Sequence, residues 1–142
     1  MPNACVINLG ELDSMEQYVA KLSKRNRQHI RKEILAIEPS LIIEISKNTT
    51  SAQLEQIALL FLKVHQNNLG LNTFPFPQKL FATMNENPHW EFILISSVQT
   101  PEELIGVMCC YKNGNCTYVP AFVGMDYDYL IEFHTYRQLL FQ

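Results

Sequence analysis

The chain has 142 residues, of which 47% are hydrophobic and 18% are charged, and its formal net charge is −3. This size and composition are typical of one folded domain with its own hydrophobic core, and they argue against a disordered chain. The acidic balance does not favour nucleic acid as a partner, and no apolar run reaches the roughly 18–20 residues that cross a bilayer. No basic residue precedes Lys21, so we expect no signal or transit peptide and a cytoplasmic protein.

The four cysteines fit a reducing compartment. Cys109 and Cys110 are adjacent in an apolar run, Cys116 lies nearby, and Cys5 is far away in the sequence. None of them forms a C-x-x-C pair or a Cys/His pattern with the spacing of zinc ligands. We therefore expect small buried hydrophobic side chains rather than a nucleophile, and no metal site.

The chain begins with a predicted edge strand, "ACVINL", and a long helix. The helix is predicted over residues 13–37, because Asp13 and Glu16 have capping-box spacing and Pro39 ends an apolar stripe of helical period. The stripe consists of Met15, Tyr18, Val19, Leu22, Ile30, Ile34 and Ile37.

Three elements follow in the first half. The β-branched stretch "LIIEIS" predicts a strand over residues 41–46. A second helix is predicted after "NTT", then a loop, "LGLNTFPFP", and a short third helix, "PQKLFATMNE". The predicted inner face of the second helix comprises Leu54, Ile57, Ala58, Phe61, Val64 and Asn68.

The second half has the pattern of an antiparallel meander followed by a helix. "WEFILISSV" predicts a strand and "QTPEE" a turn, and "LIGVMCCYK" and "CTYVPAFVG" flank Asn113 and Gly114, a pair typical of a tight type I′ hairpin. Pro120 cannot donate to a strand ladder, so it indicates an edge strand or a bulge. A last helix is predicted to begin at Asp126 or Asp128, with a stripe of Leu130, Phe133, Tyr136 or Arg137, and Leu140.

These elements predict one α+β domain over residues 1–142, a mixed and mostly antiparallel sheet with helices packed around it. Residues 13–88 form its mainly helical front part with one strand, and residues 89–142 form the meander and the last helix. That helix reaches the end of the sequence without a stop signal, so we expect a fragment that is incomplete at its C-terminus. The sheet edge after "CTYVPAFVG" is uncovered, which predicts a homodimer.

The stretch "KLSKRNRQHIRKEI" concentrates basic side chains on one predicted helical face. The face consists of Lys21, Lys24, Arg25, Gln28, Arg31 and Lys32. One explanation is the solvated side of an amphipathic helix. Another is a phosphate or carboxylate site formed by Arg25, Arg27 or Arg31. Ser23 and Asn26 fall inside the apolar stripe, where they require hydrogen-bond partners.

Two stretches resemble a known family. "SMEQYVAKLSKRNRQHIRKEI" resembles the helix that opens the GNAT-like domain of the Fem-type, peptidoglycan aminoacyltransferase-like group and its acetyltransferase relatives. "ELIGVMCCYKNGNCTYVPAFVGMDYDYLIEFHTYRQLLFQ" resembles that group's central hairpin and acyl-CoA-binding helix, with "VGMDYDYL" in place of the glycine-rich pyrophosphate loop of the best-known GNAT members. The resemblance covers roughly residues 14–142. Its matched positions in the second stretch are Gly106, Tyr118, Gly124, Asp126, Tyr129, Tyr136, Arg137, Leu139 and Leu140.

The resemblance implies an N-acyltransferase that moves an acyl group from acyl-CoA, such as acetyl-CoA, to the amine of a small molecule or peptide. It implies no metal, and we expect neither nucleic acid nor a membrane as a partner. A second hypothesis is a non-catalytic GNAT-like interaction or regulatory module of a larger enzyme.

Candidate site residues follow from the chemistry and from the resemblance. Free N–H groups at the start of the last helix suit a pyrophosphate, and a bulge at Pro120 would open the slot for the pantetheine arm. The residues predicted to bind acyl-CoA are Val123, Gly124, Asp128, Tyr129, Leu130 and Ile131. The candidate catalytic bases are His134, Glu132 and Tyr118, and both His134 and Tyr118 also suit a plain structural role. The predicted acceptor-binding residues are Arg25, Arg27, Arg31 and Trp90, the last of which also suits core packing.

Overall fold

A computed structural model describes residue 10 and residues 12–67, 74–114 and 117–142. The predicted strand "ACVINL", and Asn68 of the predicted second helix, lie outside the described residues. The helices are α1 (Met15–Lys21), α2 (Lys24–His29), α3 (Ser51–Asn67), α4 (Gln78–Asn85), α5 (Leu130–Phe133) and α6 (Thr135–Phe141). A π-helix (Ile30–Leu35) continues α2, and 3-10 turns occupy Glu38–Ser40 and Tyr127–Tyr129. The strands are β1 (Leu41–Ser46), β2 (Trp90–Ser97), β3 (Thr100–Asn113) and β4 (Thr117–Met125).

The four strands form one sheet in the order β1-β2-β3-β4, and every neighbouring pair is antiparallel. The chain passes from β1 through α3 and α4 to β2, whereas short turns join the later strands. The prediction of an α+β fold with a mostly antiparallel sheet is confirmed. Among the described residues, β1 and β4 are the two edge strands.

Helices cover both faces of the sheet. On the first, which we call the α3 face, α3 and α4 pack around Phe61, Phe81 and Phe92. On the opposite α6 face, Leu139 of α6 packs against Ile95 and Ile105 of the sheet. Because side chains alternate along a strand, the continuous apolar run of β2 supplies both cores, and each fully buried large side chain contributes roughly 1.5–3 kcal/mol.

Two glycines let helices approach the sheet closely. A Cβ on Gly124 of β4 would lie 3.0 Å from the backbone nitrogen of Phe61 in α3. A Cβ on Gly106 of β3 would lie 2.5 Å from Cγ2 of Thr135 in α6. Both glycines were matched positions in the family resemblance, and both have a packing role in this fold.

The prediction of one long front helix over residues 13–37 is wrong, because this segment is divided into α1, α2 and the π-helix. Ser23 explains the division: its hydroxyl accepts from the backbone N–H of Asn26 and caps the start of α2. Ser14 caps α1 in the same way, with the backbone N–H of Gln17 as donor at 3.3 Å. The predicted apolar stripe is therefore broken, and Ile30 and Ile34 are buried whereas Met15 is exposed.

The last helix is also divided. His134 lies between α5 and α6 in the left-handed conformation, with φ of 50° and ψ of 40°. The turn rotates the second segment, so the buried residues of α6 are Thr135, Gln138 and Leu139, and Leu140 of the predicted stripe is exposed. Asp126 caps the preceding 3-10 turn, in agreement with one of the two predicted caps.

The turns of the meander differ in detail from the prediction. "QTPEE" is not a turn, because β3 already begins at Thr100 and the chain reverses at Val98 and Gln99. The hairpin at Gly114 is confirmed, and Gly114 has the positive φ, 65°, that glycine tolerates. The last strand pair is Asn113 with Thr117, so the loop has three residues, not the two of a type I′ turn.

Candidate functional site

The edge strand β4 contains a bulge. Cys109 of β3 pairs with Phe122 of β4, and the next residue, Cys110, pairs with Pro120, so Ala121 is an extra residue in β4. The bulge keeps Phe122 on the α3 face, where its ring packs at 5.0 Å from that of Phe76. The strand on the hairpin side of the bulge is exposed, and its outer edge pairs with no described strand. Pro120 therefore marks both an edge strand and a bulge, as predicted.

A buried carboxylate lies beside this bulge. Glu91 of β2 is 4% exposed, faces the α6 side of the sheet and pairs in register with Cys110. Its Oε1 lies 3.0 Å from Nζ of Lys47, a residue that follows β1 and whose side chain is 66% exposed. Lys112 of β3 pairs with Tyr118 of β4, and its Nζ lies 5.5 Å from the centre of that ring. We call Glu91, Lys47, Tyr118 and Lys112 the Glu91 cluster.

The electrostatics of the Glu91 cluster keep its carboxylate ionised. Burial opposes the charge of Glu91, but hydrogen bonds from Lys47 and Tyr118 and the nearby positive charges outweigh burial, so its pKa lies below the usual value. The hydrogen bond and charge of Glu91 raise the pKa of Lys47. The cluster therefore holds an anion paired with a cation at neutral pH, and a carboxylate whose pKa is lowered is a weak base.

The neighbouring cysteines are not activated. Burial, together with the charge of Glu91, raises the pKa of Cys110 to about 11. Burial raises the pKa of Cys109 further still. Both are thus neutral thiols at pH 7, and both are buried without a disulfide, as the sequence predicted.

The three predicted catalytic residues do not come together. Tyr118 lies at the hairpin end of the sheet, opposite Lys112. His134 precedes Thr135, which packs against Gly106, six residues and thus roughly 20 Å along β3 from Lys112. Glu132 is exposed on α5, near His134 in the chain. Of the three, Tyr118 alone belongs to the Glu91 cluster.

The residues predicted to bind acyl-CoA lie where β4 passes into α5. The backbone N–H of Asp128 donates to Oδ1 of Asp126 at 3.1 Å, so one amide of the predicted pyrophosphate site already has a partner. Tyr129 packs on Phe133, whereas the side chain of Ile131 is 84% exposed. Leu130 and Val123 are half-buried, and Gly124 is buried beneath α3.

The residues predicted to bind the acceptor are scattered. Arg25 and Arg31 are exposed on the basic face, which points into solvent throughout. Arg27 instead donates through Nη1 to the backbone oxygens of Ala20 and Leu22, at 3.1 and 2.6 Å, and so closes the end of α1. Trp90 packs on the α3 face, with its ring 6.1 Å from that of Phe122, on the side of the sheet opposite Glu91.

Glu91 and Lys47 were not among the predicted site residues. A signal was present, because Glu91 is the one charged residue in the apolar stretch "WEFILISSV". A charged residue in a central strand is seldom fully buried without a partner. Its partner could not be predicted, since Lys47 is 44 residues away in the sequence and reaches Glu91 only through the pairing of β1 with β2.

Neither models of known protein families nor curated protein sequences match this chain. Within the described residues, no group of histidine, cysteine, aspartate or glutamate side chains is arranged to hold a metal ion. No helix in the described part of the chain has the length and apolar character that crossing a membrane requires.

Proposed function

We propose that this chain is an N-acyltransferase domain of the Fem-type GNAT group, which transfers an acyl group from acyl-CoA to an amine. The observation that carries the proposal is the bulged, unpaired edge strand β4 beside the buried, ionised Glu91. The order of elements supports it: a helical front segment, a strand, two helices, a second strand, a hairpin and a divided last helix follow one another, and the resemblance implies a front helix, a strand with a helical insert, a central hairpin and a last helix in that order.

The bulge would serve the acyl donor. Backbone N–H and C=O groups on the outer edge of β4 have no strand partner among the described residues, so an extended pantetheine arm would pair with them as an added strand does. The residues at the end of β4 and in α5, from Val123 to Ile131, would then lie on the side of the nucleotide. Exposed Ile131 would contact it directly.

The Glu91 cluster would serve the acceptor. Glu91 attracts a positively charged amine, and once the ammonium has released one proton to solvent water its nitrogen attacks the thioester carbonyl carbon. A C–N bond forms and the C–S bond breaks, with the electron pair leaving on sulfur. Tyr118 stands on the bulged strand as an O–H donor that can protonate the thiolate and recover a proton from the amine. Because the pKa of Glu91 is lowered, its role is to hold the amine.

Calorimetric titration with acetyl-CoA and with CoA tests the proposal. We expect binding in the micromolar range, and we expect Ile131→Glu to weaken it about tenfold or more, since a carboxylate would face the phosphates. Val98→Glu is the matched control, because Val98 is also an exposed apolar residue, at 49%, but lies in the turn between β2 and β3. Equal affinity in the two variants would contradict the placement of the nucleotide.

A second function is favoured by one observation, the hydrogen bond that occupies the amide of Asp128. If that capping interaction excludes a pyrophosphate, the chain is a non-catalytic GNAT-like interaction or regulatory module. The same titration separates the two functions, because a module without a donor site would give no heat with either compound.

A further inference from the structure

The buried carboxylate of Glu91 has an unequal partner. Its side chain is 6% exposed, whereas that of Lys47 is 66% exposed, and the two meet at 3.0 Å. Lys47 thus reaches the carboxylate from the solvent side, with most of its own length in water. The path that Lys47 occupies is therefore a path from solvent to Glu91.

If the ammonium group of a ligand displaced that of Lys47 from the carboxylate, Glu91 would remain paired. Removing a partner and leaving a buried charge alone is strongly unfavourable, whereas replacing one ammonium group with another conserves both the ion pair and its hydrogen bond. Lys47 loses little when it leaves, because its side chain is mostly hydrated already. The site is thus arranged for exchange.

The surroundings define which group fits. The carboxylate of Glu91 accepts hydrogen bonds, so the ligand must carry N–H donors. Lys112 lies beside the Tyr118 ring. Its positive charge would repel a ligand that carries a second positive charge close to its ammonium group. The apolar neighbours Ile93 and Cys110 flank Glu91 on the same face of the sheet. A single primary ammonium on an unbranched alkyl chain, the chemistry of Lys47 itself, satisfies these conditions.

We propose that Glu91 is a binding site for a primary alkylammonium group, such as a lysyl side chain or an aminoalkyl compound, and that Lys47 is a tethered competitor which occupies it at rest. The identity of the amine as the acyl acceptor rests on the proposed function. Binding of the amine does not, so its test needs no acyl-CoA.

The test compares Lys47→Met with the double variant Lys47→Met/Glu91→Gln. A tethered group competes at an effective concentration of millimolar order, so we expect its removal to tighten binding of n-butylamine about tenfold relative to the unaltered chain. The affinity is read from the carbon NMR shift of the labelled Glu91 carboxylate and from the rise in melting temperature. n-Butanol, which lacks the charge, should cause neither change, and the double variant should bind no n-butylamine.

A second measurement covers the case in which Lys47→Met does not fold. In the unaltered chain, saturating n-butylamine should move the side-chain NMR signal of Lys47 to the position of a free lysine, while sodium chloride at equal ionic strength should not. Equal responses to amine and salt, or equal amine affinity in the single and double variants, would overturn the proposal. Amine binding without any binding of acyl-CoA would leave the ammonium site in place and remove only its role in acyl transfer.

Discussion

Gly106 shows how one missing side chain sets the position of a helix. A Cβ there would meet the Thr135 methyl group at 2.5 Å, inside the packed layer between β3 and α6. We expect Gly106→Ala to lower the free energy of unfolding by about 1–3 kcal/mol, since both the sheet and Thr135 are rigid in the core. Urea denaturation measures the loss.

Thr135→Ser supplies the control for this contact. It removes the clashing methyl group but keeps the hydroxyl that donates to the backbone oxygen of Tyr129. The double variant should therefore be more stable than the sum of the two single changes predicts, by at least about 0.5 kcal/mol. Strictly additive losses would mean that the methyl contact does not limit this position.

Glu91 makes the stability of the fold depend on pH. Its pKa in the folded chain lies below the value of about 4.3 that glutamate has when unfolded. Its contribution is thus complete above that unfolded value and is lost as the pH falls through the folded one. We expect Glu91→Gln to cost about 1–3 kcal/mol at pH 7 and to flatten the decline of stability as the pH falls below the unfolded value. Urea midpoints across this range measure both effects, and parallel pH curves for the two chains would contradict the assignment.

At the scale of single residues, some roles can be predicted from the sequence and others cannot. Buried cysteines and an edge-strand proline follow from residue type and neighbours alone. The role of Arg27 does not follow in this way. Its charge suggested that it binds a ligand, but the break between α1 and α2 places the backbone oxygens of Ala20 and Leu22 within its reach. Such a role depends on where the chain bends, which no property of arginine determines.

Among the elements, α1 and α2 have no buried residue, so their capping interactions contribute a large share of their stability. We expect Ser23→Ala to destabilise α2 by about 1 kcal/mol, with little change in the melting temperature of the whole domain. Faster amide hydrogen exchange at residues 24–27 is the measurement. Ser14→Ala is the matched control and should accelerate exchange in α1 alone; a uniform change throughout the sheet would contradict a local effect.

Sequence patterns predicted best the elements that have one clear hydrophobic period or that have turn residues at both ends. β1 was predicted at its observed bounds, and α3, α4 and β2 within a residue or two, because turn residues enclose each apolar run. The divided helices were missed, because Ser23 and His134 interrupt an apolar stripe that otherwise reads as continuous. A serine cap and a left-handed histidine are local choices that compete with helix formation, and periodicity does not detect them.

At the scale of the whole molecule, the exposed edge of β4 has two proposed uses. An antiparallel pairing of β4 with a second copy would cover it, as the sequence predicted, and the pantetheine arm would cover it in the proposed acyltransferase. The two are mutually exclusive on one edge. The dimer paired through β4 should therefore bind acyl-CoA less tightly than the single chain does.

Light scattering at micromolar concentration tests the pairing. We expect twice the chain mass of 16.4 kDa, and we expect Val119→Lys on β4 to give the single mass because lysine on an edge strand opposes pairing. Val98→Lys, in the turn between β2 and β3, should remain dimeric. A single mass for the unaltered chain would refute the dimer.

β4 is held very differently at its two ends. Near Gly124 the backbone of α3 bears directly on the strand, and Met125 and Asp126 are buried. From Thr117 to Ala121 the same strand is exposed, pairs on one side and contains the bulge. The probability that the backbone hydrogen bonds of β4 open locally should thus increase along its nine residues, from the anchored end at Met125 to the fraying end at Thr117. Tyr118, the member of the Glu91 cluster that lies on β4, stands at the fraying end, so the part of the strand assigned to the reacting groups is free to adjust while the part assigned to the nucleotide stays fixed.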